Sequence, residues 1–467
     1  MLKQEKNVLD HISDYQLLYD AYHADGGFKT GQYLLQHPRE GEHKYRRRKR
    51  MSYYANYVKP VVDSHVDPIF REEPNRNWDS NQLFSMFHED VDAAGTSMNR
   101  FMKKAALVAK LYAVAFIVID NFADLPATVA DTLNDRKLPY AYIVTPSQVT
   151  DHKVNRFGRL TSITYTEPAE DADGNITYGS NSRTWTMGEW ILSDSNGKVI
   201  IRQKHSLARL PIVPLYSKPM ESGNTLPQSE FYSISRTNMS LFNRCSELDE
   251  VLSNQAFGIL TYPLGENQDT DEVQEIVTGT ENLLGYDGTL SKSPEYIGPP
   301  AEPANMQMSQ IDRLIQEIYR MAKQSHTTGV EAKASGVAKA YDFEKTNPVL
   351  ADFAANCELA EVEMAKVFEL WTSAKLNYTC SYERDFGIID IEQVLKDADS
   401  ALQLNIGRLF NKEVKKKVVA AYLGDIPEED YDAVIEEIET SADDAMYAET
   451  IQTINTSNQV NSNDTTE

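Results

Sequence analysis

The residue types that carry out chemistry are plentiful in this chain, yet they form no recognisable catalytic pattern. Of 467 residues, 70 are Asp or Glu and nine are His. With that many carboxylates, pairs at the spacing of a glycosidase site arise by chance. The histidines are scattered without ligand spacing, and the motifs of phosphate-binding loops, zinc proteases, dinucleotide-binding folds and serine hydrolases are absent. We therefore predict a protein that is not an enzyme and that needs no cofactor or metal.

One acidic cluster, at residues 88–92, could suggest a metal site. Leu83, Phe87 and Val91 define the apolar face of the helix predicted there, so the acidic groups should point largely to solvent. The cysteines, Cys245 among them, are three in number and far apart, which excludes a disulfide framework and favours a reducing compartment. No signal peptide or membrane span is predicted, because the longest apolar run is far too short.

Charge gives the next constraint. Lys and Arg number 46 against 70 acidic residues, a net charge of −24, which argues against general nucleic-acid binding but not against a protein that lets DNA slide past. One basic run, KYRRRKR at 44–50, interrupts this background. It is either a solvated helix face or a contact with a polyanion or an acidic neighbouring subunit, and we favour the subunit. Its candidate residues are Arg46, Arg47, Arg48, Lys49 and Arg50.

The chain is too long for a single core, since one core stops growing at about 250–300 residues. Apolar spacing predicts one long amphipathic helix over 83–108 and then a buried strand at 113–120. Asn196-Gly197 signals a hairpin between two further strands. These features indicate an α+β fold with an antiparallel β unit. The other predicted strands are 140–145, 160–167, 183–193, 198–205 and 377–386.

Two helices with narrow apolar seams flank a small acidic module. The helices are predicted at 229–256 and 305–324, and the module, with a strand or two and a short helix, at 257–304. Seams this thin cannot be buried by the hairpin alone, so the helices should pack against partners. The seam residues are Ile234, Leu241, Leu248, Leu252, Ile311, Leu314, Ile315 and Ile318.

A segment of small residues at 325–347 is predicted to be a flexible loop. Asn347 and Pro348 should then cap and start a helix with Phe353, Cys357 and Met364 on its core face. Ten acidic residues and no basic one lie between 425 and 444, and the tail is predicted to be disordered. The loop residues of interest are His326, Gly329, Lys333, Gly336 and Lys339.

The order of these parts is similar to that of tailed-bacteriophage portal proteins over residues 43–440. It is carried by YYANYVKPVVDSHVDPIFREEP after the basic helix, by the helix, module and helix insertion, and by SGVAKAYDFEKTNPVLADFAANCELAEVEMAKVFELW. The resemblance implies a portal-type fold of stacked layers. Its parts would be an arm 1–42, a wing 43–228, stem helices 229–256 and 305–324, a clip 257–304, a tunnel loop 325–347, a long wing helix and strand 348–389, a helical crown 390–447 and a tail 448–467.

The resemblance also implies a function. Such a chain would assemble in the host cytoplasm into a ring of about twelve subunits at one vertex of the virion capsid. Double-stranded DNA would enter and leave through the ring without sequence specificity, with Lys333 and Lys339 as candidate contacts at the constriction or, alternatively, as solvated lysines. The implied partners are the large terminase subunit, the major capsid protein or scaffold, and a tail adaptor. The alternatives are another head–tail structural protein and a soluble acidic α+β hydrolase.

Overall fold

A computed structural model gives the architecture of the chain. It divides into two compact units, residues 1–386 and 387–467. The structure describes residues 12–122, 136–170, 176–207, 209–219, 225–256, 259–264, 283–287, 293–297, 300–323, 336–386, 391–404, 406–423 and 430–439.

The described elements mix helices and strands, so the α+β class is confirmed. The helices are α1 Ile12–His23, α2 Gly26–Thr30, α3 Glu42–Met51, α4 Val58–Asp63, α5 Gln82–Glu89, α6 Met98–Tyr112, α7 Phe231–Ala256, α8 Glu302–Met321, α9 Gly336–Thr372, α10 Ile391–Gln403 and α11 Arg408–Tyr422. The strands are β1 Asn75–Asn77, β2 Val114–Asp120, β3 Tyr140–Val144, β4 Val149–Val154, β5 Leu160–Glu170, β6 Ile176–Thr186, β7 Glu189–Ser193, β8 Val199–Lys204, β9 Ile212–Tyr216, β10 Ile259–Leu264, β11 Leu283–Asp287, β12 Glu295–Ile297 and β13 Thr379–Ser381.

The three-stranded antiparallel sheet β3-β2-β9 connects two cores of the first unit. Every residue of its middle strand, β2, is buried. Ala115, Ile117 and Ile119 pack in one core with α5, α6 and α9. Phe116 and Val118 point the other way, into a core shared with the five-stranded sheet. Strand side chains alternate between faces, so a continuous β-branched run is what a strand covered on both sides requires.

The five-stranded sheet is an antiparallel meander in the order β4-β5-β6-β7-β8. The predicted hairpin is confirmed: Asn196 and Gly197 lie in the turn between β7 and β8, and Gly197 has φ +78°. The strand predicted at 183–193 is in fact parts of β6 and β7. They separate because the Thr186 hydroxyl donates to the Glu189 carbonyl at 2.8 Å, across a tight turn.

The helix predicted over 83–108 is wrong as a single helix, because a loop separates α5 from α6. The Gly95 N–H donates to Asp90 Oδ1 at 2.8 Å and the Thr96 N–H donates to Asp92 Oδ1 at 3.1 Å. Short acidic side chains that bond nearby backbone groups compete with the helical ladder. The carboxylates that could suggest a metal site therefore shape this loop.

The N-terminal arm contains the helices α1 and α2. Asp20 of α1 is only 2% exposed. Its carboxylate accepts hydrogen bonds from the Tyr33 hydroxyl at 2.7 Å and the Gly27 N–H at 3.2 Å. Hydrogen bonds from several donors offset the cost of removing a carboxylate from water. Asp20 therefore holds the chain of the arm in place.

Helix α9 begins at Gly336, well before the predicted start at Asn347, and includes Pro348. The predicted loop 325–347 is therefore helical from Gly336 onwards. Asn347 does not cap the helix: its Oδ1 accepts the Phe386 N–H at 2.9 Å.

The core face predicted for this helix is confirmed beyond Pro348. Trp371, near its end, is half-buried and donates its indole N–H to the Ile119 carbonyl of β2 at 2.9 Å. The predicted positions that are buried are Phe353, Cys357, Ala360, Met364 and Val367. Apolar spacing thus identified this surface even though it misplaced the start of the helix.

The second unit is helical where it is described, with α10, α11 and a further helical stretch at 430–439. Lys416 of α11 forms an ion pair with Glu439 at 2.8 Å. Both side chains are solvent-accessible, so this pair contributes little to stability.

Candidate functional site

Helices α7 and α8 form an antiparallel pair with a small sheet at one end. Gln255 donates to the Pro300 carbonyl at 2.9 Å, and Gln307 donates to Glu247 Oε2 at 3.1 Å, so late residues of α7 meet early residues of α8. At 26 residues, α7 is about 39 Å long. We call residues 231–245 and 314–321 the near half of the pair, and residues 246–256 and 302–313 the far half.

The near half is buried by other residues of the same subunit. Ile234, Leu241 and Ile318 are at most 2% exposed and pack with apolar residues of α1 and α4. The prediction that the whole seam faces other copies is therefore wrong for these three residues. The N-terminal region up to α4 covers them. The sequence pattern gave no sign of this, because an apolar seam looks the same whichever neighbour buries it.

Two buried asparagines of α7 attach this half to the N-terminal region. Asn238 Oδ1 accepts from the Tyr54 hydroxyl at 2.9 Å and from the Tyr57 N–H at 3.0 Å, and its amide donates to the Ala55 carbonyl at 2.9 Å. Asn243 accepts the Leu35 N–H at 2.8 Å in the same manner. Sequence reasoning missed both residues. The available signal was an asparagine beside the apolar seam of a long helix, where side-chain amides are otherwise unfavourable.

The far half exposes apolar side chains. Leu252 is 43% exposed, Met306 74% and Met308 50%. Leu248 and Ile311 are half-buried. Isolated exposed apolar residues are ordinary, but Leu252 and Met308 continue the seam that the near half buries, with Met306 on another face of α8. An extended apolar patch indicates an interaction surface.

The small sheet at the far end contains three strands in the order β11-β10-β12. The Thr261 hydroxyl of β10 donates to the Glu295 carbonyl of β12 at 2.9 Å. Tyr296 and Ile297 of β12 are 67% and 40% exposed. The strands agree with the predicted small module, while its short helix would fall outside the described residues. Apolar exposure thus extends from the far half onto this sheet.

A buried ion pair lies where α7 begins. Lys110 of α6 is 1% exposed and its Nζ lies 2.8 Å from Glu230 Oε1, while Lys218 lies 2.7 Å from Glu230 Oε2. Burial raises the pKa of Glu230, but the two lysines outweigh it and hold that pKa at about 2. Lys110 also lies 4.9 Å from the ring centre of Phe353. The cation therefore joins α6, the start of α7 and α9.

His65 is buried beside this pair. Burial, reinforced by the nearby Lys110 charge, lowers its pKa to about 4, although a hydrogen bond to Val61 and the Glu230 charge oppose the shift. Its ring packs edge-on against Phe231 of α7 at 5.7 Å. His65 is consequently neutral at pH 7.

The basic run of α3 divides into one buried residue and several exposed ones. Arg48 is 6% exposed, and its Nε and Nη2 donate to the two carboxylate oxygens of Glu40, both at 2.8 Å. Its Nη2 also donates to the Leu35 carbonyl at 2.7 Å, and its Nη1 donates to Ser246 Oγ of α7 at 3.4 Å. Arg48 therefore attaches α3 to its own chain, and assigning it to an intermolecular patch was wrong.

The other residues of the run remain candidates for an interaction. Arg47 and Arg50 are exposed. Arg46 pairs with Glu42 at 2.9 Å, and Lys49 Nζ lies 4.4 Å from the ring centre of Tyr45. Lys339 belongs to α9, and His326, Gly329 and Lys333 lie outside the described residues.

A cavity of about 770 Å³ between β9, the β4–β5 turn and α9 gives the hydrolase alternative no support. Glu363 is the single carboxylate among its described lining residues, and it is paired with Arg209 and with Lys366 at 2.8 Å. Burial raises the pKa of the Cys357 and Cys380 thiols, which disfavours a reactive thiolate.

Within the described parts of the chain, no three His, Cys, Asp or Glu side chains are grouped so that they could hold a metal ion. None of the described helices combines the length and the apolar character needed to cross a membrane.

Comparison with known proteins finds no matching family model and no matching curated protein. Among solved structures, a chain of "Virion of native gene transfer agent (GTA) particle" is 11% identical, with a TM-score of 0.40, over 91% of this chain and 93% of that one. A chain of "Neck of empty GTA particle computed with C6 symmetry" is 10% identical, with a TM-score of 0.39, over 74% and 85%. TM-scores this low do not establish a common fold, so neither likeness assigns a function.

Proposed function

We propose that this chain is a structural component of a phage-like particle, and specifically the portal subunit of its head–tail connector. The observation that carries the proposal is the α7–α8 pair, whose near half is buried within the chain while its far half and the attached sheet expose apolar side chains. The resemblance to portal proteins rests in part on this order of elements: helix α7, the small sheet β10–β12, helix α8 and then the long helix α9. The buried near half positions the far half to meet another copy.

Closure of a ring explains how small apolar interfaces can hold the assembly together. In a cyclic assembly each copy uses two different surfaces, and the same small contact is repeated once per subunit. Leu252, Met306 and Met308 would then be covered by the neighbouring α7–α8 pair. Burial of apolar area contributes about 25 cal/mol per Å², so a modest interface becomes substantial when about twelve copies close the ring.

The acidic composition supports a channel that releases DNA. A net charge of −24 repels phosphates, so duplex DNA could pass without being trapped, and a few cations such as Lys339 could make weak contacts. The partners proposed for such a ring are the large terminase subunit during packaging, the capsid protein or scaffold around it, and a tail adaptor on the β10–β12 sheet. The exposed cations of α3 are proposed to meet an acidic face of the adjacent subunit.

The test is the assembly state of the purified full chain, by mass photometry and negative-stain microscopy. We expect annular particles of about twelve subunits. Leu252→Asp should disperse them, because a carboxylate would be buried in the interface, while circular dichroism stays unchanged. Ser240→Asp adds the same charge to an exposed polar position in the near half of α7 and should leave the rings intact. A well-folded wild-type chain that remains a monomer at micromolar concentration would refute the proposal.

A further inference from the structure

Strand β8 is an open edge of the five-stranded sheet. It pairs with β7 on one side, and no described strand lies on its other side. The His205 N–H donates to the Gly188 carbonyl at 3.0 Å. Because antiparallel strands alternate between positions that bond the partner and positions that face away, Arg202 and Lys204 present their backbone groups to the open side.

The same edge strand has solvent-exposed apolar side chains. Val199, Ile200 and Ile201 are consecutive and are 44%, 53% and 44% exposed. Ile201 lies opposite Leu192, on the sheet face that also carries the nearly buried Trp190. An incoming strand would extend this face and cover Ile201. Uncovered apolar edge strands template pairing with other chains, and proteins normally blunt or cover them.

Charge decides which strand fits. Lys198, Arg202 and Lys204 are exposed, and the strand contains no acidic residue. Two copies of β8 would place cations against cations, so self-pairing is disfavoured. A strand with carboxylates on one face and β-branched residues on the other would oppose Arg202 and Lys204 with acids and cover Ile201 with apolar groups.

We propose that β8 is a docking edge at which an extended acidic segment of another protein adds as a sixth strand to the sheet. Main-chain hydrogen bonds at Arg202 and Lys204 would give affinity, and the cations would select the partner, as in other strand-addition complexes. This inference does not depend on ring formation, because β8 belongs to a different sheet from the α7–α8 pair.

The probe is a synthetic peptide of about nine residues, the length of a typical strand with its flanks, that alternates glutamate and valine. A matched peptide carries an N-methyl group on the backbone amide of its central glutamate, which removes an N–H directed at β8 and keeps the charge. Binding to the full chain is followed by fluorescence anisotropy, and backbone pairing is followed by hydrogen exchange at the Arg202 and Lys204 amides. We expect saturable binding of the first peptide, slowed exchange at both amides, and binding at least about tenfold weaker for the N-methylated peptide.

Two variants separate backbone pairing from charge. Arg202→Pro removes an outward N–H and leaves the pairing with β7 intact, because proline is tolerated on an edge. Arg202→Gln removes only the charge. We expect Arg202→Pro to lose about tenfold in affinity and Arg202→Gln about threefold, with Lys204→Pro as a second blocking variant if the first folds poorly.

Equal binding of both peptides, or of both Arg202 variants, would mean that no strand is added and would overturn the proposal. Absence of any binding up to about millimolar peptide would overturn it as well.

Discussion

The two halves of the α7–α8 pair differ in what surrounds the same seam. Leu241 and Leu252 lie on the same face of α7, yet Leu241 is 1% exposed and Leu252 is 43% exposed. In the near half, α1, α4 and the tyrosines around Asn238 cover the seam. In the far half, Ile311 still packs at the margin of that core, while Leu252 and Met308 are exposed. The apolar seam therefore continues along both helices, and the N-terminal region up to α4 covers its near half.

This difference separates stability from assembly. Residues of the near half should determine whether the subunit folds, whereas residues of the far half should determine whether subunits associate. Substitutions of the two halves should consequently have different readouts, which the following experiments exploit.

Ile318→Asp is expected to have the largest effect. It places a carboxylate in a fully buried apolar site, and an unpaired buried charge costs several kcal/mol, here about 4 or more. The prediction is insoluble or unfolded protein, or a free energy of unfolding lowered by that amount in urea titrations. A folded, soluble variant of wild-type stability would mean that this half is not a core.

Asn238→Ala should cost about 3 kcal/mol, because it leaves the Tyr54 hydroxyl, the Tyr57 N–H and the Ala55 carbonyl without their buried partner. Urea denaturation followed by fluorescence measures the loss. Asn305→Ala, at an exposed position of α8, is the control and should change stability by less than about 0.5 kcal/mol. Similar effects of the two variants would argue against the attachment of residues 54–57 to α7 through Asn238.

The near half should also be sensitive to pH through His65. Its pKa in the folded chain is about 4, below the ordinary value near 6.5, so the unfolded chain binds the proton more readily. The resulting stability is complete above about pH 6.5 and is lost as the pH falls towards 4. Between pH 7.5 and 5.0 the expected loss is about 2 kcal/mol.

Urea titrations at the two pH values test this contribution. His65→Gln should reduce the difference by that amount, while His43→Gln, at an exposed site, should preserve it. An unchanged pH dependence in His65→Gln would show that other groups cause it.

Met306→Asp is expected to have the smallest effect on the subunit itself, within about 0.5 kcal/mol, because the side chain is already exposed. Its effect should appear in assembly, as a shift towards monomers in mass photometry. A clear loss of subunit stability would instead place Met306 inside a core and erase the contrast between the halves.

The sequence predicted those elements whose signal is local. Apolar spacing identified the core face of α9, and the β-branched run identified β2. Strand β9 was missed because Pro211 and Pro214 suggested an irregular segment. It is an edge strand, where a missing N–H is tolerated. The break between α5 and α6 was missed because Asp90 and Asp92 act on the backbone through side-chain hydrogen bonds that apolar spacing does not register.

The candidate site was also only partly predictable, because some of its features depend on contacts between residues far apart in sequence. The seam and the small module were visible, since both depend on residues close in sequence. Which part of the seam stays free depends on the N-terminal region, whose contacts with α7 join residues roughly 200 positions apart, such as Leu35 with Asn243. Likewise, the basic run gave no sign that Arg48 alone would turn inward, because its partner Glu40 lies outside the helix.

The two faces of strand β2 pack in two different cores, and this limits which substitutions the strand can accept. A larger side chain at Phe116 would clash with the five-stranded sheet, whereas a larger one at Ile117 would clash with the helices. Adjacent residues of β2 are therefore restricted by different neighbours. Because the strand has a single backbone, a shift that relieves one constraint violates the other. Sequence change in β2 should accordingly be slow and paired, with each accepted substitution matched by a compensating one in the core that it faces.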